Sequence, residues 1–338
     1  MNAIQPPNPD VRAAALALSD AQAKPRGALG RLEELAAWVA ACQGVCPPEP
    51  LTDVRVVVFA GDHDVAAAGV SAYPAEVTPL MAHGILAGRA GVNALARSVG
   101  ATVAVFDLGV RVLDGVPDEV RRFRIGPARA IHVEDALTEA ELDRALSAGD
   151  TIAAEAIADG AQLLIAGDLG IGNTTPAAAL VAASLDLRGV DVAGRGTGLD
   201  DAALARKASL LDEALDRVGS RAIDPRQRLA ALGSADIAAA VGFIAGAAAR
   251  GVPVVVDGLI ASAEALLADE LFPGTRAWLV AGHRSTEPGC ELAQTHLGLE
   301  PVLDLGMRLG EGSGAVLAVG VLHAAVAALR EVALLSEI

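Results

Sequence analysis

The chain has 338 residues, 53% of them hydrophobic but only 2% aromatic, so its core has to be built from Ala, Val, Leu and Ile. With 42 acidic against 26 basic side chains the formal net charge is −16, which excludes nucleic acid or an anionic membrane as the main partner. Any bound anion has to be held locally, by backbone amides and a few placed cations.

Cys42, Cys46 and Cys290 make no disulfide framework, and no second Cys/His pair completes a zinc site, so reduced thiols are expected. The first residues, MNAIQPPNPD, have neither the charge nor the apolar run of a signal peptide. The most apolar helical stretches, 236–249 and 313–329, fall short of the roughly 20 residues that span a bilayer. A cytoplasmic protein is expected.

In chain order, a proline-bearing start and a basic loop, Lys24 to Gly30, lead into a helix over 30–42. Leu32, Leu35, Ala36 and Val39 share one face of it, and Pro47, Pro48 and Pro50 follow its end. From Val54 onward short apolar runs alternate with Ala-rich helical segments. The runs cover 54–62, 102–109, 162–168, 252–258, 277–283 and 301–306. Such runs predict a doubly wound α/β fold with a mainly parallel, six-stranded, Rossmann-like sheet buried on both faces. The runs carry, in order, Asp62 with His63, Asp107, Asp168, Asp257, His283 and Asp304 at their ends. One aspartate in such a place is commonly a turn former or cap. Six such polar ends, five aspartates and His283, at the carboxyl edge of one sheet point to a polar cleft, since that edge is where open α/β sheets bind ligands.

The stretch IAGDLGIGNTTPAAA, Ile165 to Ala179, reads as strand, tight turn and helix. Pro176 suits a first helical turn, and a threonine before it suits a cap. The amides of Gly170, Gly172, Asn173, Thr174 and Thr175, with the helix dipole behind them, would cradle a phosphate or carboxylate with Asp168 beside it. An ordinary capped turn fits the same residues. Further on, GRGTGLDD (Gly194 to Asp201) opens a helix that carries Lys207 about two turns in, either at the surface or reaching a phosphate.

In MRLGEGSGA, Met307 to Ala315, Glu311 stands between two glycines and Ser313 is placed to cap the helix that follows. Glu311 is either a capping glutamate or a general base whose proton affinity an apolar turn raises. The apolar helix from Ser313 to Leu329 belongs in the core or in a symmetric dimer. GEGSG is not a nucleophile elbow, the Gly170 turn is neither a P-loop nor a dinucleotide fingerprint, and the histidines show no zinc-protease spacing. The residues describe an acidic α/β enzyme with one monophosphate site and carboxylate bases, suited to substitution at a sugar phosphate.

Seven stretches together resemble the nicotinate-nucleotide–dimethylbenzimidazole phosphoribosyltransferase family: 24–36, 58–78, 167–179, 194–201 with Lys207, 254–266, 282–289 and 303–315. The resemblance implies transfer of phosphoribosyl from nicotinate mononucleotide to 5,6-dimethylbenzimidazole, giving α-ribazole 5′-phosphate and nicotinate for cobalamin assembly. It implies Glu311 as general base with Asp168 as a second catalytic carboxylate. It implies a phosphate held by Gly170, Gly172, Asn173, Thr174, Thr175, Lys207 and Ser285, and a base pocket of Tyr73, Pro74, Met81 and Leu309. It also implies a homodimer, no cofactor and no metal. The chain then divides into an N-terminal helical part (1–50), a catalytic α/β domain (51–310) and a C-terminal helix (311–338). The chain departs from the family pattern at Asp64, at Asp168 where glutamate is common, in loop 126–138 and at GSAD, 233–236. A paralogue using another base, or a catalytically silent nucleotide sensor, is the alternative reading.

Overall fold

The computed structural model describes residues 3–338. Five parallel strands make one sheet: β1 (Val54–Gly61), β2 (Thr102–Gly109), β3 (Leu163–Leu169), β4 (Val254–Val256) and β5 (Leu279–Ala281), in the order β2-β1-β3-β4-β5. The sheet has five strands, not the six that the apolar runs predict. The run at 301–306 meets β5's extension only through a parallel bridge, His283 to Leu303, with the Val302 and Leu303 amides donating to Ala281 and Gly282. Pro301 brings no N–H, and Asp304 to Gly306 lie exposed, so the ladder stops there.

Alternation along the strands assigns each side chain to one of two cores. Val57, Phe59, Leu164, Ala166 and Val256 face one helical layer, containing the helices Glu139–Ala158, Thr174–Leu185, Ala235–Ala249 and Leu259–Leu271. Val56, Val58, Leu163, Ile165 and Val255 face the other, which holds Pro9–Ala21, Arg31–Gln43, Gly91–Ser98 and Ser313–Glu331. The chain's two ends thus meet in one layer, joined also by a bridge between Gln22 and Leu334. Ser313–Glu331 has 19 residues and is long and apolar enough, by length and composition, to cross a bilayer, contrary to its expected shortness. Here Val316, Val319 and Leu322 are fully buried in the core.

With few aromatics, the first core relies on close helix contact. Gly149 backs onto the helix Ala235–Ala249 so tightly that a Cβ would lie 2.7 Å from the Ala239 carbonyl carbon. Phe59 and Phe243 make one edge-on contact at 5.5 Å between ring centres. The carboxyl ends of all strands then open toward one edge, and the order changes direction between β1 and β3, where crevices of such sheets form.

Candidate active site

A cleft of about 290 Å³ opens at that edge, floored by Asp168, Asp257 and His283 from the ends of β3, β4 and β5. Of the residues picked out in the sequence, Tyr73, Asp168, Asn173, Thr174, Ser285, Leu309 and Glu311 line it together. The cleft therefore joins the Gly170 turn to the Glu311 turn, although 135 residues or more of chain separate them.

The Gly170 turn is locked from within: the Asn173 amide donates to Gly170 O (3.2 Å), the Thr175 amide to Gly172 O (3.0 Å) and the Ile171 amide to Thr78 Oγ1 (3.1 Å). The helix begins at Thr174, but neither Asn173 nor a threonine caps it with a side chain, in contrast to the expected threonine cap. Those side chains are engaged elsewhere. Asn173 donates to Asp168 Oδ1, and Thr174 Oγ1 accepts from Lys207 Nζ at 2.8 Å.

Lys207 lies one layer behind the cleft wall, 0% exposed, donating also to Gly194 O at 3.2 Å. Burial brings its pKa down to about 8, against the opposing pull of Glu287. Because Thr174 accepts from the ammonium, its own O–H remains available for an anion in the cleft. Thr175 is fully buried, Pro74 is exposed outside this wall, and Met81 is half-buried against the second core. Gly170 and Gly172 shape the turn without lining the cleft.

Glu311 sits in the left-handed region at φ 62°, between Gly310 and Gly312, both at φ 83°. For a non-glycine residue this costs on the order of 1–2 kcal/mol, a strain found where function fixes a side chain. The carboxylate is 4% exposed, and its Oε2 has no hydrogen-bond partner. Burial pushes its pKa up, the Val92 amide pulls it down and Asp257 adds to the rise, with a raised value as the outcome. Ser313 does not cap the following helix as expected. Asp257 does, accepting from the amides of Gly312 and Ala315.

Asp168 is held well above the ordinary carboxylate range by burial and by its neighbours Asp236 and Glu264, while Asn173 acts the other way. Asp236 in turn lies 3.2 Å from His63 Nε2, a close contact without the alignment of a hydrogen bond. A buried acid with a raised pKa and an orphan oxygen, facing an anion cradle across one small cleft, is the layout of base-assisted displacement at a phosphorylated substrate.

Three further residues of this wall do not stand out in the sequence. Arg308, whose Nη1 donates to Gly196 O at 2.8 Å, is the cleft's arginine and stands three residues before Glu311. Glu287 accepts from the Gly196 amide, and Thr197 accepts from the Ala72 amide, tying the glycine loop to the tyrosine loop. Arg308 and Glu287 were readable as charged residues inside MRLGEG and STEPG. Thr197 carried no signal.

A family model described as Phosphoribosyltransferase matches residues 4–338. The nicotinate-nucleotide–dimethylbenzimidazole phosphoribosyltransferase of Mycolicibacterium paratuberculosis is 53% identical over 335 residues, covering 99% of this chain and 96% of that protein. Its namesake from Mycobacterium tuberculosis is 51% identical, over 99% and 92%. The crystal structure of the Thermus thermophilus enzyme of the same name superposes with a TM-score of 0.90 at 42% identity, covering 98% of each chain.

Proposed function

This chain belongs to the nicotinate-nucleotide–dimethylbenzimidazole phosphoribosyltransferase family, and we propose that it moves the 5-phosphoribosyl group of nicotinate mononucleotide onto 5,6-dimethylbenzimidazole. The acceptor's N–H proton goes to Glu311, the other ring nitrogen attacks C1′ of the ribose, and the bond from C1′ to the pyridinium nitrogen breaks with its electrons leaving on nicotinate. Attack opposite the leaving group turns the β-nucleotide into an α-riboside.

The observation that carries this reading is Glu311 itself: strained, buried, raised in pKa, and sharing one cleft with the phosphate turn. A base has to be deprotonated at working pH yet strong enough to take the proton, which a raised carboxylate achieves. The phosphate is assigned to Asn173 and Thr174, the residues of the Gly170 turn that line the cleft, to Ser285 and to Lys207 acting through the Thr174 hydroxyl, a relay supported by the 2.8 Å contact. Asp168 holds the turn through Asn173 and lies beside the reacting sugar. Tyr73 and Leu309, 56% and 53% exposed, are apolar surfaces on which a flat heterocycle gains burial.

Turnover of nicotinate mononucleotide with a panel of azoles, purines and phenols tests the reading. Dimethylbenzimidazole should give α-riboside phosphate and nicotinate, and Glu311→Gln should lose about 10²- to 10⁴-fold in rate. Absence of product with every azole would overturn it, with turnover of another base class favouring the paralogue and tight nucleotide binding without turnover favouring the sensor.

A further inference from the structure

Two buried side chains of the cleft floor have no part in the chemistry above. Asp257 closes β4 and reaches across to the far end of the chain: its Oδ2 accepts from the Gly312 amide at 3.2 Å and its Oδ1 from the Ala315 amide at 2.8 Å. Those amides follow Glu311 and open the helix Ser313–Glu331, which has no side-chain cap of its own. His283, at the end of β5, brings its Nε2 to 3.3 Å from Asp257 Oδ1, and both side chains are buried. Gly314 leaves no room for a Cβ against the His283 ring, so imidazole, carboxylate and helix start form one packed unit.

We propose that Asp257 and His283 are positioning residues for the transfer: Asp257 holds the turn that keeps Glu311 left-handed in the cleft, and His283 balances the charge that Asp257 places beside Glu311. The proposal rests on Glu311 being the base. Asp257 accepts from two amides as a carboxylate, and a charged carboxylate nearby makes a second carboxylate harder to ionise. The direction agrees: after burial, Asp257 is a cause of the rise at Glu311. At His283 burial is the largest single influence and opposes the imidazolium, but Asp257, the Arg284 backbone and Asp304 together raise the pKa.

The other charged groups around Glu311 are few. Asp168 at the end of β3, Glu287 before the helix Pro288–Leu297 and Arg308 on the same loop as Glu311 share the cleft. Glu264, from the helix Leu259–Leu271, senses Asp257 but is itself held well above the carboxylate range by burial, and Asp304 acts on His283. The helix Gly91–Ser98 presents the Val92 amide, and the first turn of Ser313–Glu331 carries no acid.

The two deletions therefore act in opposite directions. Asp257→Asn removes a negative neighbour of Glu311, so the acid limb of the kcat profile should move to lower pH. His283→Asn leaves Asp257 uncompensated, so the limb should move to higher pH, each by roughly 1 pH unit. Titrations of the substrates are common to all three proteins and cancel in the comparison. Simple damage to the turn lowers kcat without sending the limb opposite ways.

The experiment is the pH dependence of kcat with nicotinate mononucleotide and dimethylbenzimidazole for the wild type and both variants. Glu311→Gln is run alongside: retained turnover there would sink the base assignment, whatever the other two do. With that control inactive, opposite displacements support the pairing, and shifts of the same sign, or none, overturn it. Should Asp257→Asn fail to fold, His283→Asn decides alone, an upward move supporting the proposal and any other result refuting it.

Discussion

Lys207→Met should make the unliganded protein more stable at neutral pH while weakening its hold on the nucleotide. The lysine is fully buried, and its pKa in the fold falls from 10.5 to about 8 because burial disfavours the ammonium. That descent corresponds to a cost of about 3 kcal/mol whenever the buried lysine is charged. Methionine keeps the apolar stem and removes the charge, while Gly194 O loses its donor, at about 1–2 kcal/mol. The net expectation at pH 7 is a gain of about 1–2 kcal/mol, or a few degrees in Tm. Between pH 8 and 10.5 the folded lysine is neutral while the unfolded one still binds a proton, so wild-type stability rises through this window and the variant's advantage vanishes and gives way to a small deficit. Thermal unfolding followed by circular dichroism at about pH 7 and about pH 10 reads both effects. The KM for nicotinate mononucleotide should rise at least tenfold with kcat little changed, as loss of a phosphate contact predicts. A variant less stable at neutral pH, with the same difference in the alkaline measurement, would refute the reasoning.

Glu311→Gly should abolish turnover yet leave Tm equal or higher: release of left-handed strain on the order of 1 kcal/mol offsets glycine's entropy, and an orphan buried carboxylate disappears. A large fall in Tm would show that Glu311 serves the fold. Gly149→Ala should destabilise by about 1–3 kcal/mol despite alanine's better helix propensity, because the methyl would meet backbone of the helix Ala235–Ala249. A urea midpoint equal to or above the wild type's would contradict that close approach.

How much of this was legible in the sequence depended on how local each feature is. β1, β2 and β3 matched their runs closely because each is an unbroken apolar segment flanked by helical layers. The run at 301–306 looked similar, but whether an edge segment pairs is settled by its neighbour and by solvent, not by its own apolarity. Glu311 and the Gly170 turn were visible because unusual backbone needs glycines around it. Caps were misread in both places for one reason: a serine or threonine beside a helix start is a local signal, while the groups that engaged these ends came from far away. Asp257 reaches Gly312 and Ala315 across 55 and 58 residues, and Lys207 reaches Thr174 across 33. The burial of Lys207 was equally hidden, since a lysine at helical spacing reads the same whether it faces water or a sealed loop.

The most direct test of the central claim is a crystal structure with nicotinate mononucleotide and dimethylbenzimidazole bound to the Glu311→Gln protein. The phosphate should rest against Asn173 and Thr174, and a ring nitrogen of the benzimidazole should lie about 2.6–3.2 Å from the side chain at position 311. A phosphate bound elsewhere, or an azole whose nitrogens both point away from that side chain, would contradict the assignment of Glu311 as the base.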